Sequence, residues 1–113
     1  MAVEYEKFFE PAVLATGAAA LRYTVPGVPA NVKLRGAQVS LTNTGTTTVT
    51  PTVYAVPSGG SAGASNVCWN KPIGPLDTVY VNLPIMKAGD AIYDKCDTAS
   101  AVTIQPTGGA LFS

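Results

Sequence analysis

The acidic residues Asp90, Asp94 and Asp97, with Asp77 nearby in sequence, form a carboxylate cluster. Grouped carboxylates can hold calcium or act as an acid/base pair on a glycosidic bond. Their spacing here follows no calcium loop, and Gly89-Asp90 is explained as turn chemistry. The expectation is four solvated turn residues and no metal. Histidine is absent, so no Ser-His-Asp or Cys-His pair can form, and zinc loses its usual ligands. The run SGGSAG lacks the lysine and following helix of a phosphate-cradling loop. No catalytic residue, cofactor or metal is expected. Cys68 and Cys96 fit either two buried free thiols or a disulfide. Trp69, Tyr54, Tyr80 and Tyr93 fit a flat platform for sugar, a protein interface, or core packing.

These side chains need a frame, and the sequence reads as strands. The chain has 113 residues, enough for one domain but short for two. The stretch VPSGGSAGASNVCW, which runs into the single tryptophan, is therefore expected to be a loop inside one domain. Short runs rich in Val, Ile and Thr, broken by Gly and Pro, predict an all-β fold. Strands are expected at Ala20–Val25, Val32–Asn43, Thr47–Pro57, Val67–Asn70, Leu76–Leu83, Ala91–Asp94 and Ala99–Gln105. Seven or eight antiparallel strands pack naturally as a β-sandwich or jelly roll.

Three local features refine this pattern. Val32 and Leu34 share one face, whereas Val39 and Leu41 share a face in the opposite phase. One extra residue switches faces, so a bulge or kink is predicted at Gly36. Pro51 should demote part of its strand to an edge or bulge. The Asn43-Thr-Gly45 turn between the flanking strands predicts a hairpin.

Only 12% of residues are charged, and the formal net charge is zero. From Gly36 to Asn70 there is no charge at all. That balance excludes general electrostatic attraction to nucleic acid or an acidic membrane surface. It suits a chain packed into a crowded assembly, and it does little to oppose self-association as a dimer or trimer. The charged N-terminus lacks the apolar run of a signal peptide, and no apolar stretch approaches membrane-spanning length. Folding in cytosol is expected.

Tyr5, Phe8 and Phe9 stand at i, i+3, i+4, and Pro11 ends their segment. One amphipathic turn is not stable alone in water. It must dock, either on its own domain or on a neighbouring subunit. The division expected is an N-terminal arm at residues 1–11 and one β-sandwich domain at residues 12–113. Tyr5, Phe8, Phe9 and Trp69 are the candidate interface residues.

The segments RYTVPGVPANVKLRGAQVSLTNTG, TVTPTVYAVPSGGSAGASN, LDTVYVNLPIMKAGDAI and AVTIQP, whose span is about three quarters of the chain, carry a resemblance. In order and turn pattern the chain resembles small β-sandwich virion proteins of tailed bacteriophages. The resemblance implies a non-enzymatic structural role in the virion. Capsid decoration, or cement, bound to the major capsid protein comes first; a tail, neck or fibre module binding carbohydrate or receptor is the alternative. It brings no catalytic residues, and the aromatic N-terminus and the Cys68-Trp69 pair depart from the pattern.

Overall fold

A computed structural model describes residues 3–5, 9–27 and 32–112, with residues 3–5 described in their backbone alone. The described residues form ten strands: β1 (Val3–Tyr5), β2 (Ala12–Val13), β3 (Ala20–Thr24), β4 (Lys33–Asn43), β5 (Pro51–Val56), β6 (Val67–Trp69), β7 (Thr78–Asn82), β8 (Met86–Lys87), β9 (Ala91–Cys96) and β10 (Val102–Phe112). They form two antiparallel sheets packed as a sandwich, with no α-helix among the described residues. One sheet has the order β1-β10-β4-β7, with β2 also on β10 and β8 also on β4; the other has the order β3-β9-β5-β6.

The two 11-residue strands β4 and β10 form the spine of the six-stranded sheet. Their alternate residues Val39, Leu41, Val102 and Ile104 are fully buried. They meet Val53, Ile92 and Cys96 of the other sheet in one apolar core. Each such aliphatic side chain, fully buried, stabilises the fold by about 1.5–3 kcal/mol.

Gly36 does what the phase change requires. Leu34 is buried, Arg35 and Gly36 are exposed, and Ala37 and Val39 are buried, so the inward phase switches at this point. Gly36 has φ +66°, and Gly36 and Ala37 together face Gly109 between the pairs Gln38–Gly108 and Arg35–Ala110. Two residues opposing one, the first a left-handed glycine, make a bulge. A second bulge at Thr107 on β10 compensates for it, between Pro106–Val39 and Gly108–Gln38. A Cβ at Gly36 would meet nothing within 4 Å, so the cost of a side chain there is purely conformational. Gly36→Ala is expected to destabilise by about 1–2 kcal/mol, and Gly36→Asn by less, because Asn tolerates the left-handed region. Urea midpoints of the two variants measure the difference.

Several local expectations are corrected. The strands flanking Asn43-Thr-Gly45 do not pair. β4 and β5 lie in different sheets, and the turn begins an arch across the sandwich. Pro51 opens β5, a central strand between β9 and β6. Its missing N–H is tolerated because it is the first residue of the strand. Val53 and Tyr54 alone are matched to β6, so at Pro51 the strand pairs with β9 only and that part of it is an edge, as its proline predicts. Tyr5 is no part of a helical turn: its backbone pairs with Ala110 on the edge of β10. Phe8 lies outside the described residues. Phe9 is half-buried and packs against the domain's own core.

The glycine-rich stretch is the connection of the β5–β6 hairpin. It is tied down along its length. Gly60 N–H donates to Pro57 O (2.9 Å). Asn66 closes the far end, its Oδ1 accepting from Gly63 N–H (3.0 Å) and its Nδ2 donating to Ser61 O (3.0 Å). Asp90 Oδ1 accepts from Ser58 N–H at 3.0 Å. The tryptophan at the loop's end is half-buried and packs on the core.

Candidate docking surface

The aspartates disperse. Asp94 is the departure from the solvated-turn expectation, since it is fully buried. Its two oxygens accept from Arg22 Nε (2.7 Å) and Nη2 (2.9 Å). That bond holds the guanidinium pKa above its ordinary value, against the opposing effect of burial. A single strand residue facing an arginine 72 positions away leaves no local signature. Asp90 Oδ2 accepts from Lys87 N–H (2.9 Å), Asp97 Oδ1 from Thr50 N–H (3.0 Å), and Asp77 Oδ1 from Thr78 N–H (2.9 Å). These three organise turns. Among the described residues, no three His, Cys, Asp or Glu side chains gather to hold a metal.

The cysteines are separate. Cys68 lies on β6 and Cys96 on β9, with β5 between them. Two interstrand steps of about 4.8 Å exceed the roughly 7 Å Cα separation that a disulfide can bridge. Burial pushes both thiol pKa values up, which lowers the thiolate fraction available for attack. Native protein is expected to react slowly with a thiol reagent at mildly alkaline pH. Unfolding without reductant should release two reactive thiols, and finding none would contradict the separation.

The four aromatics do not form one platform. Trp69 is opposite Val53, on the core side, and its Nε1–H donates to Lys71 O at 3.0 Å. Tyr80 lies on the six-stranded sheet, paired with Ser40. Only Tyr54 and Tyr93 are neighbours, as direct partners on β5 and β9.

Those two tyrosines are the middle of a longer row. Leu21 is the partner of Tyr93, and Val67 is the partner of Tyr54. Directly paired residues share a face, and Tyr54 follows Val53, which points into the core. The row Leu21–Tyr93–Tyr54–Val67 therefore crosses all four strands on the outside of the sheet. At its ends Leu21 is 54% exposed and Val67 38%; between them Tyr93 is half-buried and Tyr54 is buried. Val56 and Ala91, also direct partners, are buried beside the row but stand outside the main core cluster. The sequence shows that Tyr54 and Val56 alternate with Val53. It does not show Leu21 and Val67 in line with them, because that requires the register of three strand pairs.

The outer face of the six-stranded sheet is different. Its cross-strand rows are Thr103–Thr42–Thr78, Gln105–Ser40–Tyr80 and Gln38–Asn82. Thr42 and Thr78 hydroxyls lie 2.9 Å apart, and Gln38 Nε2 donates to Asn82 Oδ1 at 3.1 Å. The uncharged stretch of sequence thus supplies a neutral hydrogen-bonding face on one sheet and a central strand of the other.

No family model matches the chain, and no curated protein matches it. Among solved structures, it is similar to a chain in the structure of infectious bursal disease virus Gx strain, with 8% identity, 97% of this chain and 32% of that chain covered, and a TM-score of 0.46. It is also similar to a chain of the Gt strain, with 6% identity, coverage of 97% and 31%, and a TM-score of 0.35. This chain spans about a third of the length of each.

Proposed function

We propose that the chain is a non-enzymatic structural protein of a virus particle, a capsid decoration or cement protein that stabilises the coat lattice. The sequence resemblance to small phage virion proteins motivates the reading. The observation that carries it is the apolar row Leu21–Tyr93–Tyr54–Val67, which crosses the outer side of a whole sheet and is exposed at both ends. Bridging needs apolar contact area and no covalent chemistry. Full burial of one Leu or Val side chain is worth about 1.5–3 kcal/mol, and a lattice repeats that gain at every copy. The partners are the major capsid protein and other copies of this chain.

The test is co-sedimentation with capsids that lack the protein, beside a thermal melt. Leu21→Asp with Val67→Asp should melt close to wild type, because both side chains are exposed, and should sediment with capsids far less. Attachment equal to wild type would remove this face from the account.

A second reading is a tail, neck or fibre module that binds carbohydrate. One observation favours it: Tyr80, 62% exposed, stands among Ser40, Gln105 and Asn82 on the neutral face. Retardation by a neutral polysaccharide gel, lost in Tyr80→Ala, would support that reading over the first.

A further inference from the structure

Three cations stand together at one end of the six-stranded sheet. Lys33 and Lys87 are direct partners on β4 and β8, and both are exposed. Phe112 is the partner of Lys33 on its other side. Arg35, two residues along β4 and also exposed, holds its guanidinium 5.0 Å from the Phe112 ring centroid. Partners and i+2 neighbours share a face, so three of the chain's seven Lys and Arg residues stand together. Like charges directly opposed on a sheet destabilise it. Among the described residues, neither lysine has a carboxylate in ion-pair range; the ion pair found is Arg22–Asp94. Beside the cations, the double bulge leaves a cavity of about 280 Å³ lined by Arg35, Gly36, Gly109, Ala110 and Phe112.

We infer that this patch docks an extended, carboxylate-bearing segment of a partner protein. Alternate side chains of an extended segment are about 6.6–6.8 Å apart, the same two-residue step that separates Lys33 from Arg35. Acidic residues at every second position therefore meet both cations, and Lys87 lies alongside. Arg35, stacked on Phe112, offers a planar fork suited to a carboxylate. Nucleic acid is the poorer fit, because its continuous phosphates would run from three cations onto the neutral Thr, Ser and Gln face. The site lies on the opposite sheet from the apolar row and does not depend on the capsid reading.

The experiment uses the full chain and a fluorescent peptide of alternating Glu and Thr, read by anisotropy at low salt. A labelled short duplex DNA is the comparison. The peptide should bind, weaken with added salt, and bind about tenfold more weakly to Arg35→Gln, the loss of one good charged contact. Lys87→Glu turns the opposed pair into a complementary one. It should melt at or above the wild-type temperature and lose peptide affinity. The inference is overturned by absence of peptide binding, by DNA binding more tightly than peptide, or by wild-type affinity in Lys87→Glu. A lower melting temperature for Lys87→Glu would overturn it too, since the lysines would then already be compensated within the fold.

Discussion

Replacing Asp94 with Ala is expected to cost about 3–5 kcal/mol, the range for removing one partner of a buried ion pair. Asp94 is fully buried and holds both donors of the Arg22 fork. Without it, a guanidinium whose side chain is only 17% exposed is left uncompensated. Domains of this kind have a total stability of about 5–15 kcal/mol, so the variant stands near the edge of folding. The denaturant midpoint should fall while the slope stays unchanged. Pair-wise replacement separates the missing charge from the missing packing. Arg22→Met with Asp94→Leu should recover most of the loss, because well-packed apolar residues often equal or exceed a buried pair. An Asp94→Ala midpoint within experimental error of wild type would show that the pair contributes nothing. The pair also locks β3 to β9, and β3 carries Leu21. Capsid attachment should therefore weaken in Asp94→Ala even at temperatures where the protein is folded.

Asn43→Ala is the second large effect. Asn43 is fully buried where the chain leaves β4 for the other sheet. Its Nδ2 donates to Thr47 O (2.8 Å) and Ile73 O (3.0 Å), and its Oδ1 accepts from Gly45 N–H (2.9 Å). It therefore ties the start of the arch to Ile73, which pairs with Val49 at the arch's far end. Alanine removes all three bonds: Ile73 O keeps the Val49 N–H (3.2 Å), whereas Thr47 O and Gly45 N–H lose the Asn43 side chain, and each buried unsatisfied group costs roughly 1–3 kcal/mol. The expected loss is about 2–3 kcal/mol. Asn43→Asp keeps the shape but points a carboxylate at two carbonyls, so it should be at least as damaging. If Asp were tolerated in chemical unfolding, the two donor bonds would not be what holds the arch.

Strand positions were legible because alternation and breakers are local. The phase change between Leu34 and Val39 announced the Gly36 bulge for the same reason. β10 was read too short, because Pro106, Gly108 and Gly109 look like a loop; the paired bulges let the strand continue through them. The hairpin between β4 and β5 was misread, since a turn sequence does not say whether the next strand stays in its sheet. The candidate surface was the least legible part. Tyr54 and Tyr93 were visible as aromatics, but Leu21 and Val67 join them only through register across three strand pairs. Trp69, conspicuous in the sequence, is half-buried against the core. Asp94 looked like a turn residue because its partner is on another strand far along the chain.

The most direct test of the central proposal is cryo-electron microscopy of capsids assembled with and without this protein. The account expects difference density repeated at equivalent lattice positions, shaped as a two-sheet sandwich, with the four-stranded sheet and its Leu21–Tyr93–Tyr54–Val67 row against the coat. Density confined to a tail or fibre, or no lattice density at saturating protein, would contradict it.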